Sequence, residues 1–124
     1  MGPGGSQQDA AFDLRASVPA GAYHVECDAV ITAAIDVSFA LIWRRSGVDT
    51  QLAAWTKHFD DPGTFDAQPY EVDMAAQAID FQAGDQLVFR YAGLGAPGVK
   101  PESFIPNGDG PNSGGRLPAI TLPR

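Results

Sequence analysis

The chain has 124 residues, the usual length of one domain, and its 44% hydrophobic and 19% charged residues are typical of a globular protein. Its 15 acidic and 8 basic residues give a net charge of −7, which repels nucleic-acid phosphates and anionic membrane surfaces. No apolar run reaches the ~18 residues that a membrane span needs, so neither nucleic-acid binding nor membrane insertion is expected.

The N-terminal residues and the cysteine count bear on how the chain is organised. Residues 1–10 predict a flexible tail, followed by one domain over residues 11–124. Residues 1–6 (MGPGGS) have neither the basic nor the apolar region of a secretory signal. Cys27 is the only cysteine, so no internal disulfide can form and packing must supply the stability. An extracellular or surface location is favoured over a cytoplasmic one, and the compartment otherwise stays open.

The first half of the chain shows the alternation of apolar and polar residues that is typical of half-buried strands. Residues 12–18 and 23–28 alternate in this way, and so do residues 35–45. Residues 46–47 (SG) predict a turn, and residues 48–59 are compatible with a strand although their alternation is weaker. This half therefore predicts four strands.

The second half predicts further strands and one long loop. Residues 60–63 (DDPG) predict a turn, and residues 70–78 predict a strand in preference to a short helical turn at their end. Residues 79–91 predict a hairpin around a tight Ala-Gly-Asp turn, and residues 117–122 predict a last strand. Between them, residues 93–115 are dense in Gly, Pro, Asn and Asp. Seven or eight short strands without an amphipathic helix indicate an all-β fold, an antiparallel β-sandwich.

Three segments carry a resemblance to known families. Residues 18–23 (VPAGAY), 43–47 (WRRSG) and 81–89 (FQAGDQLVF) follow in the order and rhythm of jelly-roll modules. The chain resembles two groups of these: carbohydrate-binding modules attached to glycoside hydrolases, and trimeric C1q-like and tumour-necrosis-factor-like domains. The resemblance implies a jelly-roll-like sandwich that acts by binding carbohydrate or by assembling with copies of itself.

The sequence argues against an enzyme. The Gly-x-Ser-x-Gly motif of serine hydrolases is absent, and Cys27 alternates with apolar residues, which predicts a buried and unreactive thiol. A cupin-type metal enzyme needs several histidines, whereas this chain has only His24 and His58. His24, Glu26 and Asp28 share one face of a predicted strand, where they form either a metal-ligand patch or an ordinary solvated surface.

A structural calcium ion is the one cofactor that the sequence offers. Residues 107–112 (NGDGPN) are rich in oxygen ligands, but Pro111 occupies a ligand position and no Glu ends the loop, so turn chemistry is the favoured interpretation. The alternative is a calcium ion held by Asp109 together with Asp60 or Asp61.

An aromatic surface beside the long loop is the predicted ligand site. Trp55 lies opposite Leu52 and Ala54 in the alternation, where it is either displayed to a ligand or packed in the core. The residues predicted to contact a ligand are Trp55, Tyr91, Phe104, Asn107, Asp109 and Asn112.

Two functions follow as hypotheses. The first is a noncatalytic binding module that recognises carbohydrate or a protein surface. The alternative is a structural protein that forms a homo-oligomer through its outer sheet face, where apolar residues interrupt the polar pattern. Those apolar residues are Val30, Ala40, Ile42 and Val88.

Overall fold

Two antiparallel sheets pack face to face around one core in the computed structural model, which describes residues 7–31, 34–61, 63, 67–94 and 118–124. Within these ranges the strands are β1 (Gln8–Asp13), β2 (Gly21–Val30), β3 (Ile35–Arg45), β4 (Val48–Phe59), β5 (Ala67–Ala76), β6 (Gln86–Leu94) and β7 (Ala119–Thr121). The order is β1-β6-β3-β4 in one sheet and β5-β2-β7 in the other. The predicted all-β, antiparallel sandwich is thereby confirmed. Over the described ranges, no helix is long and apolar enough to cross a membrane.

The core follows directly from the two-residue period of the strands. In β6, for example, Leu87, Phe89 and Tyr91 point inward and are at most 1% exposed. Phe39 of β3 lies at the centre of an aromatic group, with its ring centroid 5.6 Å from that of Phe89 and 5.3 Å from that of Tyr70. Because Tyr70 belongs to the opposite sheet, this aromatic group ties the two sheets together.

The hairpin between β3 and β4 has the predicted turn. Ser46 and Gly47 both have positive φ, 49° and 76°, which is the geometry of a two-residue turn that matches the twist of its strands. Further along, Leu41 pairs with Ala53 while Ile42 pairs with Gln51, so Leu52 is the extra residue of a β-bulge. This bulge explains why the alternation in β4 is weak in the sequence.

A closed ring of charges covers the outer face of the four-stranded sheet. Its members alternate in sign and are Asp9, Arg90, Asp49 and Arg44. Neighbouring charged atoms in the ring are 2.7–3.7 Å apart. Ile42 and Val88 are register partners between the charged rows, and they are only 4% and 0% exposed. The aliphatic stems of the two arginines therefore shield an apolar pair on a face that is otherwise polar.

The first predicted strand is displaced in the structure. β1 ends at Asp13, and residues 8–10, which the sequence assigned to a tail, pair with β6. Beyond Asp13 the strand prediction for residues 12–18 is wrong, because the N–H of Leu14 donates to the carbonyl of Asp85 and leaves the ladder. Val18 makes only an isolated bridge to Ile79.

The predicted hairpin over residues 79–91 is also wrong, although its turn exists. Ile79 exchanges its backbone hydrogen bonds with Val18, at 2.9 and 3.0 Å, whereas β6 pairs with β1 and β3. The preference for strand over helical turn at the end of β5 is confirmed as far as Ala76.

One buried carboxylate organises the corner where β6 begins. Asp85 is 1% exposed and accepts hydrogen bonds from Nε1 of Trp43 at 3.0 Å and from the backbone N–H of Gln82 at 3.0 Å. Its two oxygens also accept from Nε and Nη2 of Arg45, at 3.0 and 2.8 Å. The Arg45 guanidinium, helped by the other donors, holds the pKa of Asp85 well below its usual range.

We expect Asp85→Asn to lower the melting temperature by on the order of 10 °C, because the amide loses the ion pair and cannot accept from every donor. Since the folded-state pKa is depressed, the stabilisation is fully present above the unfolded-state value of about 3.9 and is lost as the pH falls below it. Thermal unfolding between pH 3 and pH 7 should therefore show a weaker acid destabilisation in the variant than in the wild type. Asp13→Asn, on an exposed strand position, is the control, and equal pH slopes for the wild type and Asp85→Asn would contradict this role.

Candidate functional site

An open groove of about 490 Å³ runs between β4 and β5, at the edge of the sandwich. Each of these strands is the edge strand of its own sheet, so the groove lies where the two sheets approach without pairing. We call it the edge groove. The side chains that give it chemical character are Lys57, His58, Asp60, Gln68, Tyr70 and Glu71.

A fixed aromatic ring forms one wall of the edge groove. The hydroxyl of Tyr70 accepts a hydrogen bond from Nε1 of Trp55 at 2.9 Å, and the Tyr70 ring packs edge-on against Phe59 at 5.6 Å. Burial raises the pKa of the Tyr70 phenol, which therefore stays neutral. The groove thus has a rigid, uncharged ring that is supported from behind by the core.

The other groups of the groove are polar and offer both donors and acceptors. Nε2 of Gln68 is buried and has no hydrogen-bond partner in the part of the chain that the structure describes. His58 lies between two carboxylates, with Nδ1 at 2.6 Å from Asp36 and Nε2 at 3.0 Å from Asp60. These hydrogen bonds, first that of Asp36, raise the pKa of His58. A buried donor without an acceptor costs free energy, so the amide nitrogen of Gln68 is a destabilising feature of the groove wall.

Of the six residues that the sequence predicts as a ligand site, the structure describes Trp55 and Tyr91. Trp55 is half-buried, stacks on Phe39 at 5.5 Å and supports Tyr70 from behind. Tyr91, predicted at the rim of the long loop, is 0% exposed, because it continues the inward period of β6. The other predicted ligand residues lie outside the described residues: Phe104, Asn107, Asp109 and Asn112.

The predicted calcium ligands are described only in part. Asp60 contacts His58 at the groove, whereas Asp61 accepts a hydrogen bond from the N–H of Gly63 at 2.9 Å in the turn after β4. Asp109 lies outside the described residues. The two described carboxylates are thus engaged in separate local contacts.

The groove residues that the sequence analysis missed have only a weak signal in the sequence. Pro69 interrupts the start of β5, and proline within a strand marks an edge strand. That observation would have placed Gln68 and Tyr70 at an edge, without showing which strand faces them.

A second polar group lies on the outer face of the three-stranded sheet. His24 contacts Asp73 through Nδ1 at 2.6 Å and Glu26 through Nε2 at 3.0 Å. Directly behind this face, Cys27 is 5% exposed, which confirms that it is buried, and burial raises the pKa of its thiol to about 12. At neutral pH this thiol is therefore not a nucleophile.

Comparison of the chain with protein-family models, with curated proteins and with solved structures found no match.

Gln68→Met should raise the free energy of unfolding by about 1 kcal/mol, because methionine has a similar shape and removes a buried donor that lacks an acceptor. Chemical denaturation measures the difference. Gln86→Met is the matched control, since Nε2 of Gln86 already donates to Asp13 at 3.1 Å and its removal should bring no gain. A loss of stability in Gln68→Met would show that its amide is satisfied in solution.

Proposed function

We propose that this chain is a noncatalytic recognition domain that binds carbohydrate in the edge groove. The observation that carries the proposal is the combination of a core-supported Tyr70 ring with the polar side chains of Lys57, Asp60 and Glu71 in one groove.

This combination matches the chemistry of a sugar. A sugar ring has an apolar face of C–H groups, which an aromatic ring can cover, and a rim of hydroxyls that both donate and accept hydrogen bonds. Tyr70 supplies the ring, Lys57 supplies a donor, and the carboxylates of Asp60 and Glu71 supply acceptors. The volume of the groove falls in the usual range for small-molecule sites.

The charge of the protein narrows the class of sugar. The net charge of −7 and the two carboxylates of the groove favour neutral polysaccharides and amino sugars over uronic acids or sulfated sugars. His58 and Lys57 are the groove's basic groups, and both ring nitrogens of His58 already contact carboxylates.

The noncatalytic part of the proposal is supported by the state of the candidate catalytic groups. The thiol of Cys27 is buried with a raised pKa, and each described histidine is held by carboxylates on both of its nitrogens. A serine or cysteine nucleophile needs an adjacent general base. In the described residues, the hydrogen bonds of both histidines go to carboxylates.

Intrinsic fluorescence tests the proposal, because Trp55 contacts the Tyr70 wall. Titration of the chain with soluble xylan, mannan, β-glucan and chitosan should change the tryptophan emission for at least one of them. Tyr70→Leu keeps apolar volume but removes the flat ring, and it should weaken binding by about tenfold or more. Tyr91→Phe, in the core, should bind like the parent.

Two results would overturn the carbohydrate proposal. One is unchanged emission together with no retardation in affinity gels for all four polysaccharides. The other is equal binding by Tyr70→Leu and its parent, which would place the ligand away from the edge groove.

The assembly alternative finds less support in the described residues. It rested on apolar residues of the outer face, but Val30, Ile42 and Val88 are at most 4% exposed within a single chain. The exposed large hydrophobic residues of the described ranges are Val48, in β4, and Leu122, one residue beyond β7.

We therefore expect a monomer. Light scattering at micromolar concentration should give a mass near 13.0 kDa. A mass of two or more chains that persists on dilution would favour the assembly function instead.

A further inference from the structure

The three-stranded sheet has an unusual balance of charge. Strands β2, β5 and β7 contain no lysine or arginine. Their acidic residues are Glu26, Asp28, Glu71 and Asp73, and His24 is the single basic group among them. The other sheet neutralises two of its outer carboxylates, Asp9 and Asp49, with Arg44 and Arg90. The outer face of the three-stranded sheet lacks such cations of its own.

Two of these carboxylates lie directly opposite each other. Glu26 and Glu71 are register partners on neighbouring antiparallel strands. Like charges in this position repel and destabilise the strand pair. A cation between them would remove that repulsion.

The geometry around His24 provides ligands for such a cation. One donor atom each from His24, Glu26 and Glu71 lie within 4.8 Å of one another. Nδ1 of His24 meets the carboxylate of Asp73 at 2.6 Å, and when it donates its proton there, the lone pair is left on Nε2. Histidine ligands of metals are commonly held in this way by a carboxylate on the other ring nitrogen.

His58 gives an internal comparison. It also has an acidic residue two positions later and an aspartate as its cross-strand partner, and its contacts have the same lengths, 2.6 Å to Asp36 and 3.0 Å to Asp60. In the described part of the chain, however, only the His24 group brings three ligand atoms together. Glu71 therefore distinguishes the His24 group, a potential ion site, from the His58 group, in which an exposed histidine contacts two carboxylates.

We propose that His24 Nε2, Glu26 and Glu71 bind a divalent transition-metal ion of the zinc class, with Asp73 as a positioning residue. One imidazole and two carboxylates suit zinc, whereas calcium requires six or more oxygen ligands. A hollow of about 200 Å³ borders the two carboxylate ligands, Glu26 and Glu71. The site shares Glu71 with the edge groove, whereas His24 and Glu26 do not line that groove, and its test contains no sugar.

Calorimetry with zinc chloride on the full chain, after treatment with a chelator, tests the proposal. We expect one equivalent of zinc with a dissociation constant tighter than about 100 μM. His24→Gln should abolish binding at that concentration, and Glu71→Gln should weaken it by about tenfold or more. Asp73→Asn should weaken it by about 10- to 100-fold, as is usual for residues that orient a metal ligand.

The matched control is Asp36→Asn, which removes from His58 the contact that Asp73→Asn removes from His24. Its zinc affinity should equal that of the wild type. Since the chain has only two histidines, imidazole NMR signals separate the two groups, and zinc should shift the signals of His24 alone.

Three outcomes would overturn the proposal. The first is no binding up to about 1 mM zinc. The second is an equal loss of affinity in Asp36→Asn and Asp73→Asn, which would indicate nonspecific attraction of the ion to the acidic surface. The third is tighter binding of calcium than of zinc that survives in His24→Gln, which would exclude the histidine as a ligand.

Discussion

The buried carboxylate of Asp85 is the interaction on which the register of the sandwich depends. It lies immediately before β6 and joins that strand to Trp43 and Arg45 at the end of β3. Shifting a strand by one residue would turn all of its side chains to the opposite face. By fixing where β6 begins against β3, Asp85 determines that Leu87 and Phe89 point into the core. Moving a buried carboxylate away from its several donors costs free energy. This corner therefore favours one strand register as well as adding stability.

The acidic residues on the two outer faces of the sandwich differ in the basic groups that neutralise them. On the four-stranded sheet, Arg44 and Arg90 close a neutral ring with Asp9 and Asp49, which shields apolar residues beneath it. On the three-stranded sheet, His24 is the one basic residue that the described strands β2, β5 and β7 contribute. The first arrangement is self-contained, whereas in the second Glu26 and Glu71 are cross-strand partners of like charge.

The sequence predicts the fold well because alternation is a local signal that the sheets preserve. It fails where pairing is non-local: the turn before β6 has the composition of a hairpin, yet β6 pairs with β1, more than 70 residues away along the chain. Trp55 illustrates a second limit of the sequence. The face of β4 on which its side chain lies could not be assigned without the bulge at Leu52. The edge groove could not be predicted from the sequence, because Gln68 and Lys57 line one groove only when two edge strands from different sheets approach each other.

The position of the edge groove explains how a surface site can be rigid without lying on a loop. Tyr70 contacts Phe39, which in turn stacks on Phe89 with their planes 1° apart, so the wall of the groove continues directly into the centre of the core. A ring fixed in this way has already lost its rotational freedom on folding and loses little more when a ligand binds. The same packing limits what the groove can accept, because Tyr70 cannot turn aside for a different shape. The packing of the core therefore gives selectivity for a flat, hydroxyl-rich ligand. The polar groups at the rim discriminate among such ligands.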